Sequence, residues 1–279
     1  MSEAPLDALR EAAIAREPDR YFAATLAPQT IRLDLIALAA FAAELANIAT
    51  QVREPLAGEI RLQWWRDALA PSGGEAAAGH PVADAMRATI ARHSLPAEII
   101  NAVIDSFADA LHGERPADEN ALITHMAAGE GGLFRLAARI CAADEIGDIW
   151  HITRTAGLAY GLSRVLLRLP AERAASLVIP RTLLSDEDLG QLDAGSTPAP
   201  LAPAIAALSD LARTAMSEIA PQLANMSRAK RLPFLPLAMV RPNLRALQTG
   251  AKRRDAASIE PLPISRLLRI TWAHARGRL

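Results

Sequence analysis

The stretch Leu38-Ala39-Ala40-Phe41-Ala42-Ala43-Glu44-Leu45-Ala46-Asn47-Ile48-Ala49-Thr50 runs on through Gln51-Val52-Arg53-Glu54-Pro55 into Leu56-Ala57-Gly58-Glu59-Ile60-Arg61-Leu62-Gln63-Trp64-Trp65-Arg66-Asp67-Ala68-Leu69, and its reading decides the fold. Its first half extends back to about Ile31 and is apolar over most of a helical circumference, with Asp34, Glu44 and Asn47 as exceptions. A helix of that kind belongs in the middle of a bundle. Each polar group on it then needs a partner or a pocket. Pro55 suits a first helical turn, after which Leu62, Trp65 and Leu69 fall on one face and Ile60 and Trp64 on a neighbouring one. Adjacent helical residues point about 100° apart, so Trp64 and Trp65 read as a core-and-rim pair. Both are also candidate partner anchors, because an exposed Trp is a strong contact residue.

Working outward, the same periodicity predicts a short amphipathic helix over Asp7 to Arg16, a lead-in from Asp19 to Pro28, and helices at about 82–93, 96–112 and 118–143, the last broken near Gly131-Gly132. Glu145 to Leu169 reads as one long helix stopped by Pro170. Ser185-Asp186-Glu187-Asp188 has the composition of a helix start, Gly195 to Pro200 that of a spacer, and helices at about 201–226, 234–249 and 259–276 complete the chain. Val178-Ile179-Pro180 is too short to imply a sheet, and no repeat of the solenoid kind is present. The expectation is an all-α protein in which residues 1–279 form a single domain.

Composition agrees with that fold class. Hydrophobic residues make up 51% of the chain and aromatics only 4%, so Ala and Leu supply the apolar surface. The net charge of -1 hides an asymmetry: residues 228–279 carry twelve Lys/Arg and two Asp/Glu, a balance of +10 against -11 elsewhere. Such a basic region suits an anionic membrane surface, a phosphate group or an acidic partner, or else a solvated helix face docked on the acidic body. Lys252, Arg253 and Arg254 are its densest part. Nothing points to nucleic acid. Cys141 is the single cysteine, so no intrachain disulfide can form and a reducing compartment is expected. The opening residues lack the features of a signal or transit peptide, and the longest apolar run, Leu35 to Ala43, is far short of the roughly 20 residues of a span. The expected location is cytoplasmic, with peripheral contact at the inner face of a membrane left open.

Several chemistries find no support. The six histidines are scattered without a metal-ligand spacing, and no nucleophile-elbow pattern is present. Gly129-Glu130-Gly131-Gly132 is better suited to a kink or a close helix crossing than to phosphate binding. Asp105 and Asp109, at i and i+4, share one helical face and could hold a divalent cation from one side, though a solvated face explains them more simply.

Three places resemble the squalene/phytoene synthase family. Asp19-Arg20-Tyr21-Phe22 with Leu26-Ala27-Pro28 resembles the family's opening, and Ala37-Leu38-Ala39-Ala40-Phe41 the lead-in to its first Asp-rich motif. Gly157-Leu158-Ala159-Tyr160-Gly161-Leu162-Ser163-Arg164-Val165-Leu166-Leu167-Arg168-Leu169, running on to Val178-Ile179-Pro180, resembles the helix of the second motif. The resemblance implies a helical bundle of the isoprenoid (trans-prenyl) synthase type. In the working enzymes, magnesium held between two acidic helices neutralises the pyrophosphate released on ionisation. The first motif would fall here on Ala46, Asn47 and Thr50, and the second on Arg164, Arg168 and Glu172, so only Glu172 keeps an acid. Arg164 and Arg168 would repel a dication. Magnesium is therefore not expected.

Phe41 to Ile48 followed by Gly58 to Trp65, together with Pro261-Leu262-Pro263-Ile264-Ser265-Arg266 and Trp272, resembles a divergent branch of the family, the mitochondrial complex I assembly factor of the same fold. That resemblance implies a non-catalytic binding or assembly factor for a respiratory NADH:quinone oxidoreductase, with a respiratory-complex subunit or assembly protein as partner and an isoprenoid or lipid as candidate ligand. The alternative is a prenyltransferase with altered ligands. There, Arg164 and Arg168 would contact the diphosphate directly, and Glu44, Asp105, Asp109 or Glu172 would supply whatever magnesium binding remains.

Overall fold

The computed structural model describes residues 3–52, 54–71, 79–142, 149–169, 178–194, 196–250 and 262–279, and every regular element among them is helical. In chain order these are α1 (Glu3–Arg16), α2 (Pro18–Thr25), α3 (Gln29–Gln51), α4 (Pro55–Leu69), α5 (Pro81–His93), α6 (Ala97–Asp105), α7 (Ala108–Leu111), α8 (Glu119–Ala128), α9 (Glu130–Ala142) and α10 (Trp150–Arg168). They are followed by α11 (Asp186–Asp193), α12 (Leu201–Asn225), α13 (Arg228–Arg231), a 3-10 helix (Leu232–Met239), α14 (Val240–Gly250) and α15 (Pro263–Arg276).

Two helices organise the packing. The Ala-rich α3 is buried all round from Leu35 to Ala43, as its uniform hydrophobicity requires, and packs against α1, α2, α5 and α9. Its one buried acid, Asp34, is met by Arg92, by His93 Nε2 at 2.9 Å and by Thr89 Oγ1 at 3.2 Å. The second centre is α10, packed on α8, α9, α12 and α14. The α3 core and the α10 core meet along α9, where Leu133 and Leu136 face one and Phe134 the other.

Glycine sets how closely α9 and α10 approach. A Cβ on Gly157 would lie 2.3 Å from the Gly131 nitrogen and 2.6 Å from its Cα, so the backbones touch. The Gly-rich segment is thus a close crossing. The helix break expected at Gly131-Gly132 instead falls at Gly129, between α8 and α9.

Other boundaries shift for identifiable reasons. The helix expected over 96–112 divides at Ser106-Phe107, where Ser106 Oγ donates to the Val103 carbonyl at 2.7 Å. The lead-in after Glu17 is helical, with Pro18 opening α2 at a position where its missing N–H costs nothing. Residues 232–239 form a 3-10 helix before α14, since Pro233 and Pro236 withhold the N–H groups an α-helix needs. Ser185 caps α11 with a reciprocal bond to Asp188, as its composition predicts. No helix among the described residues is long and apolar enough to cross a membrane.

Candidate functional site

Where α1 ends and α2 begins, Glu17 is pinned between two helices, and Arg20 follows one turn later. The α9/α10 crossing brings Glu130, at the N-terminus of α9, and Arg164, on α10, to the same point. The four side chains close into a ring of charge. Arg164 Nη2 donates to Glu17 Oε1 at 2.6 Å and Nη1 to Glu17 Oε2 at 3.0 Å and Glu130 Oε1 at 3.1 Å. Arg20 completes it, donating to Glu17 Oε2 at 2.6 Å and Glu130 Oε2 at 2.5 Å. Two guanidinium groups thus face two carboxylates, and the ring is neutral.

The surroundings are largely buried and aromatic. The Tyr160 ring lies between the two guanidinium groups, 5.0 Å from that of Arg20 and 5.2 Å from that of Arg164, and Phe134 lies 5.3 Å from Arg20. Burial alone would push the Glu17 carboxyl up, but attraction from Arg164 and Arg20 and their hydrogen bonds outweigh it and hold the pKa below the ordinary value. Burial would equally lower Arg164, yet Glu17 and the other nearby groups hold it well above the usual range. The Tyr160 hydroxyl, raised by burial and by Asp19, donates to Asp19 Oδ2 at 3.1 Å, while Arg266 Nη1 donates to Asp19 Oδ1 at 2.8 Å. That last pair ties α15 to α2.

Of the motif positions assigned by resemblance, Arg164 belongs to this ring, and Asn47 and Arg168 connect to it through Arg16. Asn47 Oδ1 accepts from Arg16 Nε at 3.1 Å, and the Arg16 carbonyl accepts from Arg164 at 3.0 Å and from Arg168 at 3.4 Å. Ala46 and Glu44 are half-buried on the same helix. Thr50 is in the last turns of α3, its side chain outside the described set; Glu172 lies outside the described residues, as do Lys252, Arg253 and Arg254. Arg164, expected as an anion contact, is committed to Glu17 and Glu130. Neither Glu17 nor Glu130 stands out in the sequence for this role. The only local signal was an acid beside Pro18 and another inside a Gly cluster.

A dication does not fit here. Both carboxylates already face two fixed cations, which magnesium would have to displace. Among the described residues no group of three or more His, Cys, Asp and Glu side chains could hold a metal. Asp105 and Asp109 do not share a helix: the first ends α6 and pairs with Arg66 at 2.5 Å, and the second lies on α7, 3.3 Å from His125.

Two small voids adjoin the ring. One, of about 30 Å³, is apolar and lies between Arg20, Leu38, Ala137 and Pro236. The other, of about 40 Å³, is lined by Arg16, Asp19, Arg164, Arg168, Asn243 and Arg266. Asn243 Oδ1 is buried there without a protein partner, and the void has room for a water to satisfy it. Both are far smaller than the roughly 300–1,000 Å³ of a ligand pocket.

Trp65 lies in the core, 3% exposed and edge-on to Phe41 at 5.2 Å, so as a partner anchor it is out of reach. Trp64 packs on it at 5.1 Å and is half-buried, with the His80 ring 5.2 Å away.

The fold has clear counterparts. The squalene synthase HpnC from Alicyclobacillus acidocaldarius superposes with a TM-score of 0.69 at 16% identity, over 89% of this chain and 95% of that one. A dehydrosqualene synthase in complex with ligand gives 0.69 at 11% identity over 98% and 99%. YisP from Bacillus subtilis subsp. subtilis strain 168 gives 0.62 at 14% over 96% and 98%. At such identities the likeness shows the fold alone. Comparison with curated proteins finds no match. The family model for squalene/phytoene synthase, however, matches residues 15–266, and the chain belongs to that family.

Proposed function

We propose that this protein is a non-catalytic member of the squalene/phytoene synthase family, acting as a binding or assembly factor. The observation that supports it is the neutral Arg20–Glu17–Arg164–Glu130 ring, in which Arg164, at a position where the resemblance puts a motif residue, is already bound to two carboxylates. A prenyl diphosphate entering there would have to strip Arg164 from two carboxylates, and magnesium would find both ring carboxylates already paired with guanidinium groups. The resemblance of residues 41–48, 58–65 and 261–266, with Trp272, to the complex I assembly factor points to a respiratory NADH:quinone oxidoreductase as the assembly served.

The altered-ligand prenyltransferase reading predicts the opposite behaviour. Purified protein incubated with farnesyl or geranylgeranyl diphosphate and magnesium is expected to form no condensed product. Magnesium with diphosphate is also expected to leave the melting temperature unchanged, whereas a ligand present at 100 times its Kd would add about 2.7 kcal/mol. Reproducible turnover abolished by Glu172→Gln would overturn the proposal.

A further inference from the structure

The outward face of α15 carries a stripe that the packed interior does not account for. Ile264, Leu268 and Trp272 are 66%, 63% and 59% exposed, and Leu262, just before the helix, is 70% exposed. At i, i+4 and i+8 they lie along one side of the helix, within about 80° of arc and over about 12 Å of its length. Arg269 and Arg276 line one edge of the stripe, the Arg276 guanidinium 4.1 Å from the Trp272 ring. The opposite face is fixed: Ile270 and Ala273 are in the core and Arg266 is bonded to Asp19. α15 is therefore held as a formed helix with an apolar ridge pointing outward.

We propose that this face docks the protein on an anionic lipid membrane, with the Ile264, Leu268 and Trp272 side chains at the headgroup–acyl boundary and Arg269 and Arg276 on lipid phosphates. A straight stripe lets all three side chains reach one plane together, and a lipid surface is planar. An interfacial helix combines an apolar face with flanking cations, and Trp favours that depth. The charge is complementary: residues 228–250 and 262–279 contain nine Lys/Arg and no Asp/Glu, and all but the buried Arg231 and Arg266 reach the surface. A second copy of the chain is a poorer occupant, because a two-fold contact would set the same cations, Arg269 and Arg276, against each other. With no spanning helix among the described residues, this ridge is a surface attachment. The proposal is independent of the reading of the ion-pair ring, since vesicle binding and prenyl transfer are scored separately.

The test is co-sedimentation of the full chain with vesicles of phosphatidylcholine alone or with a third phosphatidylglycerol, at low and high salt. Wild type is expected to bind the anionic vesicles roughly tenfold or more better than the neutral ones, and to lose most of that preference at high salt. Leu268→Gln with Trp272→Gln should weaken binding roughly tenfold or more. Arg269→Gln with Arg276→Gln should flatten the salt dependence. Thermal unfolding of each variant shows whether the fold is kept. In wild type, lipids brominated on their chains should quench tryptophan emission, a readout that needs no variant. Absence of quenching, failure of wild type to bind anionic vesicles at low salt, or unchanged binding by the folded Leu268/Trp272 variant overturns the proposal. So does self-association in solution that the same variant abolishes while wild type ignores vesicles, because a second copy then covers the face.

Discussion

Removing Glu17 or Arg164 should destabilise the protein severely, and removing both together should cost much less than the sum. The pair is bidentate, at 2.6 and 3.0 Å, with side chains only 4% and 10% exposed. At those separations and an effective dielectric of about 20, the Coulomb attraction is about 6 kcal/mol before the opposing desolvation of both ions. Glu17→Gln leaves Arg20 and Arg164 sharing Glu130 alone, a buried net charge of one. Arg164→Gln leaves Glu17 and Glu130 sharing Arg20. Breaking a buried pair from one side costs about 3–5 kcal/mol, which for a chain of this size lowers Tm by roughly 6–10 °C at about 2 °C per kcal/mol. The double variant restores neutrality and keeps Arg20 with Glu130, so the double-mutant cycle should return a coupling of about 2–3 kcal/mol. Urea and thermal unfolding followed by far-ultraviolet circular dichroism measure all four corners. Additivity within about 0.5 kcal/mol would refute the claim that these charges form one unit.

Other expectations follow from the same geometry. Because the folded pKa of Glu17 lies below its ordinary 4.5, its contribution is fully present above the unfolded value and is lost as pH falls through the folded one. The stability gap between wild type and Glu17→Gln should therefore hold at neutral pH and shrink below about pH 4.5; a gap that persists or widens in acid counts against the assignment. Gly157→Ala puts a methyl 2.3 Å from a backbone nitrogen, with an expected loss of about 3 kcal/mol, whereas Gly190→Ala meets nothing within 4 Å and should be neutral or slightly stabilising. Equal melting temperatures for the two variants would contradict the α9/α10 crossing. Burial pushes the Cys141 thiol up to about 12, so iodoacetamide at neutral pH should label the folded chain far more slowly than the urea-unfolded one; equal rates would place this thiol in water.

The sequence made the helices legible where local chemistry decides them. The unbroken run from Leu35 to Ala43 forces a buried α3, Pro55 opens α4, and Ser185 caps α11. Each signal sits within a few residues of its effect. The charged ring was not legible for the opposite reason. Glu17 is 147 residues from Arg164, and Glu130 comes into range only because Gly131 and Gly157 let two backbones touch. Read locally, Glu17 is the acid before a proline and Glu130 an acid among glycines. The reversal of charge at Arg164 and Arg168 was visible in the sequence, but what neutralises it was not. The break at Ser106-Phe107 was hidden similarly, since a single hydroxyl bond to the Val103 carbonyl accompanies it and the helical periodicity runs through it.

On the reading proposed above, the ring has an electrostatic logic that goes further than the loss of a metal. In the family's working enzymes, as the resemblance has it, acids are fixed on facing helices and the compensating cation arrives from solution. Here the sign on α10 is inverted: Arg164 supplies the cation from the chain itself, and the acids come from the α1/α2 junction and from the N-terminus of α9, where a carboxylate is also favoured by the helix dipole. A site that waits for magnesium stays incomplete, with repelling carboxylates, until the metal binds. A site that carries its own guanidinium groups is completed when the chain folds, and contributes its rigidity whether or not any ligand is present. Asp19 extends the same pairing outward by holding Arg266, so the helix presenting the exposed Trp272 ridge is fastened to the residues next to the ring. The ring is thus a joint between α1, α2, α9, α10 and, through Asp19, α15. That suits a protein whose work is done by a surface.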